Sequence, residues 1–542
     1  MLVLEKGPWF KEDDFYKDEI ACCRRSAYTP NLKEEFHMLE QQDEAGGWFA
    51  QSTFDSGWSF WNGNCVGGAI NFMSGFFHRL KPVDFRLRSH FGPIEGGHIA
   101  DWPITYEDLE PWYRLVEHRV GVSGRVLPHA HQEPRSEPDF PFPPTVEHPI
   151  SRWIDGACKQ LGYASLPVPR AILPQAAMGR GGCAYTNYCG SYGCSTGAKG
   201  SARAALLDQA VSTGRCEIRP HSMVRRLVSD AKGRLNQVEY LDAQGKVHRV
   251  DARIYVVACQ PIETARLLLL SPGPKHPKGL ANNQDQVGRN LLFSAGGAGT
   301  GRLRYDRLSQ EQADLLRVRG LFVNRALQDW YIYEDPETKQ LRKGGTIEFL
   351  FRHANGISRA ISQKWDENGR LIWGKPLKDR IHAYFTEARY LRFEVFNDWT
   401  PVNDCFVSLD PKEKDRWGLP VARIRLGYHP QDLVVGRFLS QKAVKVLETL
   451  GADEIQWSVS GSPPQNLVAG GCRFGTDPET SVLDPNCRVH EVENLYVTDG
   501  SFMPTGGSVP YTWTIYANAF RVAARIAEAL GGVQKPDRKE IG

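Results

Sequence analysis

The sequence predicts an α/β fold, and three stretches carry that reading. Leu2 to Leu4, bounded by Glu5-Lys6-Gly7-Pro8, reads as the end of a buried strand running into a turn. Cys216 to Val257 is strand-rich with a turn at Gly233, and Ile262 to Leu270 then follows with helical character. At the far end Ile515, Ala519, Val522, Ile526 and Leu530 recur at helical spacing, which predicts a terminal amphipathic helix over Thr512 to Leu530.

Between these anchors the chain is heterogeneous. A Gly-rich segment runs from Trp61 to Asn71, and residues 128–149 carry seven prolines, which predicts an extended connector or lid rather than packed structure. Residues 300–460 alternate strand-like and helical segments with charged loops such as Asp410 to Arg416. No internal repeat is present. Taken singly these features are ordinary: Gly67-Gly68 suits any turn, Glu5 any strand end, and the last helix any scaffold.

Composition narrows the function classes. The 542 residues suggest several domains or one large discontinuous one, at about 150 residues each. An apolar share of 41% and a charged share of 24% exclude a disordered chain and a coiled coil. A net charge of +3 without basic blocks argues against a nucleic-acid partner, because phosphate binding needs clustered positive charge. Twelve cysteines are too dilute for a disulfide scaffold. The longest apolar runs, such as Leu267 to Leu270, fall far short of the ~20 residues of a membrane span. Met1-Leu-Val-Leu, followed at once by Glu5, is too short for a signal-peptide core. The expectation is a soluble protein, cytoplasmic or periplasmic, with no integral membrane segment.

In sequence order, several motifs together resemble the glucose-methanol-choline (GMC) family of flavin oxidoreductases, most nearly the flavoprotein subunits of bacterial gluconate and sugar dehydrogenases. They are Leu2 to Gly7, Val66 to Gly75, Asp101 to Tyr113, Gly121 to Gly124, Tyr188 to Ser201, Pro261 to Ser271, Gln286 to Leu291 and Asn494 to Ala523. The resemblance implies a discontinuous Rossmann-type FAD-binding domain over residues 1–90, 181–300 and 465–542. It also implies a connector or lid over 91–180 and an α+β substrate domain over 301–464. Glu5 then stands where a carboxylate accepts the adenosine ribose hydroxyls. Gly67 and Gly68 let the backbone approach the pyrophosphate, with Asn71 in the same loop. Val224 falls where the family's backbone meets adenine. Asp499-Gly500 opens the ribityl-phosphate loop, and Thr512 puts a helix N-terminus at the pyrimidine edge of the flavin.

Three departures from the family pattern matter. The Gly-x-Gly-x-x-Gly strand-loop-helix that precedes the ribose-binding acid is absent, which implies a severed sheet and weakened flavin binding. A start codon assigned too late, with about 30 residues upstream, is the preferred account; a strand from a partner chain or a decayed gene are the others. Second, the family's catalytic histidine position is Leu467 and its partner position is Pro510, leaving Asn466, Tyr511 or an unplaced histidine to take the substrate proton; His490 reads as structural. Third, Phe72 stands where several relatives bond the flavin through histidine, so FAD is expected to be non-covalent.

Cys183, Cys189 and Cys194 form C-x₅-C-x₄-C in a Gly-rich loop. Certain relatives hold an iron–sulfur cluster in this region, and that reading stands beside packed thiols or, in an exported protein, a disulfide, because the spacing matches neither zinc nor ferredoxin patterns. Cys22-Cys23 and Cys472 read as packing features. The resemblance implies an FAD-dependent dehydrogenase acting on a CH–OH group of a sugar, sugar acid or other alcohol, with an electron-acceptor subunit as a possible partner. The alternative is a catalytically decayed relative that serves as a binding or partner subunit.

Overall fold

Three apolar residues suffice for the first strand because a neighbour completes it. The computed structural model describes residues 1–22, 35–43, 45–56, 58, 60, 63–462 and 467–531. Strand β1 (Leu2–Leu4) pairs in parallel with β2 (Glu217–Arg219), Leu2 opposite Glu217 and Leu4 opposite Arg219. A second parallel pair joins β3 (Tyr255–Val257) to the strand Leu495–Val497. Among the described residues no strand bridges the two pairs, so the dinucleotide-type sheet is split as the missing fingerprint implied. Val256, in the middle of β3, is 50% exposed. Behind β3 runs α1 (Pro261–Leu269), whose first turn is capped by the Gln260 side chain accepting the Ile262 amide.

The other half of the molecule is a seven-stranded antiparallel sheet. Its centre is β4 (Gly345–Phe351) against β5 (Ala388–Asp398), flanked by Gly297–Arg304, Asp453–Val459, Arg325–Leu327 and Ser165–Pro167, with Ser294–Ala295 also on β5. Side chains alternate across a strand, so β4 and β5 each present two faces. Ile347, Phe349, Phe351, Leu391, Phe393 and Val395 pack in an apolar core with α2 (Pro430–Thr449) and the helix Ile150–Leu161. Val435, Leu439, Ala443 and Val446 give α2 the matching stripe. The opposite face carries Thr346, Glu348, Arg392 and Glu394, and the register sets Glu348 directly beside Glu394. Helix Ile150–Leu161 and strand Ser165–Pro167, from the stretch expected to be a connector, thus build this sheet's unit.

Helix α3 (Thr512–Ala529), the predicted terminal helix, packs on the helix Tyr106–Val116 and on Phe77. Trp513 stacks on Phe77 with ring centres 5.7 Å apart, its Nε1 donates to Tyr113 O at 3.2 Å, and the Thr514 and Tyr113 hydroxyls lie 2.7 Å apart. The proline-rich stretch 128–149 differs from its expectation. It forms no helix or named strand, yet it is fastened down: Arg135 binds Glu117 at 2.8 Å, Tyr106 donates to Pro134 O at 2.6 Å, and Thr145 and His148 are buried. Its side chains reach several elements: Arg135 the Glu117 just past the helix Tyr106–Val116, Thr145 the Asn324 amide, and His148 the Val318 carbonyl. No helix of the described residues is long and apolar enough to cross a membrane.

Candidate active site

Backbone hydrogen bonds draw the predicted cofactor residues together. Glu5 ends β1, its carboxylate accepting the Gly7 amide at 2.7 Å, and burial lifts that carboxyl above its ordinary value. Its carbonyl accepts the Ser222 amide (2.8 Å) and that of Gly7 accepts the His221 amide (3.1 Å), which places the start of strand Met223–Ser229, with Val224, beside it. The Pro8 carbonyl accepts the Val66 amide at 3.0 Å, bringing in the double-glycine turn.

Gly67 and Gly68 hold φ of +86° and +65°, the left-handed region that suits glycine. A Cβ on Gly67 would sit 2.8 Å from the Arg203 Cβ, whereas one on Gly68 would meet nothing within 4 Å, so Gly68 borders open space. Asn71 braces the turn through its Nδ2, donating to Val66 O (2.9 Å) and Gly68 O (3.1 Å), while its buried Oδ1 has no partner. Lys199 Nζ reaches Asn71 O at 3.2 Å.

The closing loop is anchored by Asp499. Its carboxylate accepts the Ser501 amide (2.8 Å), the Ser501 hydroxyl and the Thr264 hydroxyl (2.5 Å), so it ties the loop after Leu495–Val497 to α1. Burial raises this carboxyl, and the hydroxyl and amide donors pull against that. Gly500 packs between Val468 O and Ile515 of α3. Helix α3 begins at Thr512 with no side-chain cap, leaving first-turn amides for another acceptor. Just past β3, burial raises the Cys259 thiol, and the charges of Asp499, Glu263 and Glu5 add to this. An orphaned Asn71 Oδ1, an open left-handed Gly68 and an uncapped helix N-terminus are what a phosphate-linked flavin fits.

The expected proton acceptors are differently placed. Asn466 lies outside the described residues. Leu467 takes φ of +57° and packs on the main core, and Pro510 is buried. Tyr511 is fully buried, its hydroxyl has no hydrogen-bond partner, and burial pushes its pKa well above the ordinary phenol value, which makes it a poor base. His490 bonds Ser481 at 3.0 Å.

Polar groups that the sequence reading did not name line the far wall. Asp398 accepts the Gly507 amide (2.7 Å) and the Ser508 hydroxyl (2.8 Å), and pairs with Lys343 at 3.4 Å. Asp398, Lys343, Thr505, His429 and Asp432 border a cavity of about 560 Å³. On the polar sheet face His78 Nε2 lies 2.7 Å from the fully buried Glu348 carboxylate. Arg170 holds Ser74 O at 2.9 Å and stacks 4.3 Å over Phe76, so Ser74, Phe76 and His78 follow one another along this wall. Part of the signal was available: Arg392 and Glu394 alternate with Leu391, Phe393 and Val395 along one strand.

Cys183, Cys189 and Cys194 pack together around Leu173, Ala198 and Phe322. Burial pushes the Cys183 thiol up to about 12; for Cys194 burial is again the largest single influence, but the Lys199 charge and the hydrogen bonds from Thr196 and Lys199 together outweigh it and the thiol is lowered. Among the described residues no three His, Cys, Asp or Glu side chains are disposed to hold a metal ion, so the iron–sulfur expectation gains no support. Phe72 is buried with Phe15, Cys65 and Tyr192. Cys23, of the vicinal pair, lies outside the described residues.

Comparison with known proteins fits this geometry. The N-terminal GMC oxidoreductase model matches residues 143–294 and the C-terminal one residues 401–519. The chain is 32% identical over 507 residues to 6'''-hydroxyparomomycin C oxidase of Streptomyces lividus, covering 92% of this chain and 84% of that protein. It is 28% identical over 477 residues to the fructose dehydrogenase large subunit of Gluconobacter japonicus, covering 86% and 80%. A formate oxidase of Aspergillus oryzae, solved in work on FAD modification, superposes with a TM-score of 0.61 at 14% identity, covering 97% of this chain and 93% of that one.

Proposed function

The chain belongs to the GMC oxidoreductase family, and from that premise we propose that it is an FAD-dependent dehydrogenase that oxidises the CH–OH group of a sugar, sugar acid or other alcohol. One observation supports this reading: beyond the glycine turn Phe77 stacks on Trp513 at the start of α3 while the next residue, His78, meets Glu348 on the polar face of the seven-stranded sheet, and Gly500 of the Asp499 loop packs near Ile515 of the same helix. When bound there, FAD supplies a hydride acceptor. Glu5, Gly67, Gly68, Asn71, Val224, Gly500 and Thr512 would hold it, Asp499 keeping the loop in place. Phe72 offers no nucleophile, so the flavin is held without a covalent bond. The 560 Å³ cavity has room for a sugar-sized substrate, and its Asp398, Lys343 and Thr505 suit hydroxyl groups.

Purified protein saturated with FAD is expected to retain yellow flavin and to reduce a dye under nitrogen with one of D-fructose, D-gluconate or an aminoglycoside bearing a primary hydroxyl. Faster turnover with dioxygen than with the dye would make it an oxidase. The second reading, a non-catalytic relative that binds a sugar or a partner chain, draws on Leu467 and Pro510 in place of the family's catalytic pair. Bound flavin that none of these alcohols reduces would select it.

A further inference from the structure

We propose that His78, held by Glu348, takes the substrate's hydroxyl proton in this chain, in place of an imidazole at the Leu467 position. The inference rests on the CH–OH reading above and adds to it the group that makes the reaction run without the family's histidine.

Position is the first argument. After the 3-10 turn Gly68–Phe72 and a left-handed Gly75 (φ +84°), Phe76 bridges to Arg170 and Phe77 packs on Trp513, the residue after Thr512. By alternation His78 points the other way, to the polar sheet face, where it meets Glu348 at 2.7 Å. The imidazole thus sits on the polar sheet face, one residue from the ring that packs on the first turn of α3. The second argument is the incomplete bonding of the pair. Glu348 is fully buried, His78 is its one hydrogen-bond partner among the described residues, and its Oε2 has none. A carboxylate buried for structure alone needs more donors than this, since an unpaired buried oxygen costs about 1–3 kcal/mol. The third is access: His78 borders a cavity of about 40 Å³ with Gln132, Glu133 and Gln328, separate from the 560 Å³ cavity and wide enough for a single hydroxyl group or water, and its Nδ1 has no hydrogen-bond partner among the described residues.

A carboxylate on Nε2–H fixes the tautomer that leaves the Nδ1 lone pair free and stabilises the imidazolium once formed. In the reaction the alcohol's O–H bond breaks, its electron pair becomes the second bond of the new carbonyl, and its proton goes to Nδ1. The hydride lost from the same carbon is what a bound flavin accepts. Burial raises the Glu348 carboxyl, the charge of Glu394 adds to this, and His78 and Arg170 oppose it. Arg79, Arg125 and Glu133 face the ring across the cavity.

The test compares wild type, His78→Asn and Glu348→Gln, each saturated with FAD. His78→Asn is expected to keep its flavin absorbance, lose about 10²–10⁴-fold in kcat, and lose the acid limb of the kcat–pH profile. Glu348→Gln is expected to shift that limb to lower pH. Independently of turnover, carbethoxylation of His78 by diethyl pyrocarbonate, read by peptide mass, is expected to slow when the alcohol that supports turnover is saturating. A flavin-loaded His78→Asn within threefold of wild type overturns the inference. So does labelling of His78 at the same rate with and without the alcohol, a measurement on wild type that decides the matter if the variant does not fold. Wild type that holds flavin and oxidises no alcohol removes the CH–OH reading and this inference together. Wild type that oxidises an alcohol while His78→Asn matches it removes this inference alone.

Discussion

The cofactor side and the substrate side of this molecule are built from different materials. Around the glycine turn and the closing loop the functional groups are main-chain amides, glycines and a helix end, and side chains such as Asp499 and Asn71 serve to fix them. On the seven-stranded sheet the functional groups are side chains at alternate positions of β4 and β5, with a rigid apolar layer beneath. The contrast teaches where substitutions are tolerated: the first side fails when the backbone is disturbed, the second when a single polar group is removed.

The most damaging break to the comparison is expected at Gly67. Gly67→Ala forces a Cβ to 2.8 Å from Arg203 Cβ at a φ of +86°, and bound flavin, read as absorbance near 450 nm per protein, should fall to about a tenth or less. Retained flavin would show that this turn is not a cradle. Asp398→Asn probes the other side. It loses the charge that fixes Gly507, Ser508 and Lys343, so kcat/KM is expected to drop about 10–100-fold while flavin content stays unchanged.

Asp432 sharpens the contrast through pH. Burial raises its carboxyl from 3.8 to about 7, against the amide and hydroxyl donors of Thr400. The unfolded chain releases this proton near pH 4 and the folded chain near pH 7, so over that window the folded state binds the extra proton and stability falls as pH rises. Asp432→Asn cannot ionise. Its unfolding free energy is expected to change less than that of wild type between pH 4 and 8, by at most about 4 kcal/mol, which melting temperatures measured across that range would register. The smallest effect belongs to Glu5→Gln, which keeps an oxygen for the Gly7 amide and should weaken FAD about tenfold without altering kcat.

Much of the architecture was legible because it follows from periodicity and from glycine. Leu2–Leu4, the helix opening at Pro261 and the helix opening at Thr512 stand where their patterns put them. The glycine turn and the Asp499 loop were readable through the order of motifs that resembles the GMC family, since Gly67-Gly68 taken singly suits any turn. The substrate wall was not. Glu348 and His78 are 270 positions apart, and no local pattern marks two residues that only a tertiary contact makes a pair. The packed state of 128–149 was equally hidden, because proline content reports backbone stiffness and is silent on whether Arg135 finds Glu117.

The separation of the parallel strands into two pairs has a consequence for how the protein breathes. β1 and β3 each keep one strand edge without a ladder partner among the described residues, whereas β4 and β5 are flanked on both sides. Amide hydrogens on those bare edges should exchange with solvent well before those in the heart of the antiparallel sheet, which makes this seam the weakest cooperative unit. A cofactor spanning from Glu5 to Asp499 would act as a clasp across the seam, so that saturation with flavin and local rigidity would rise together.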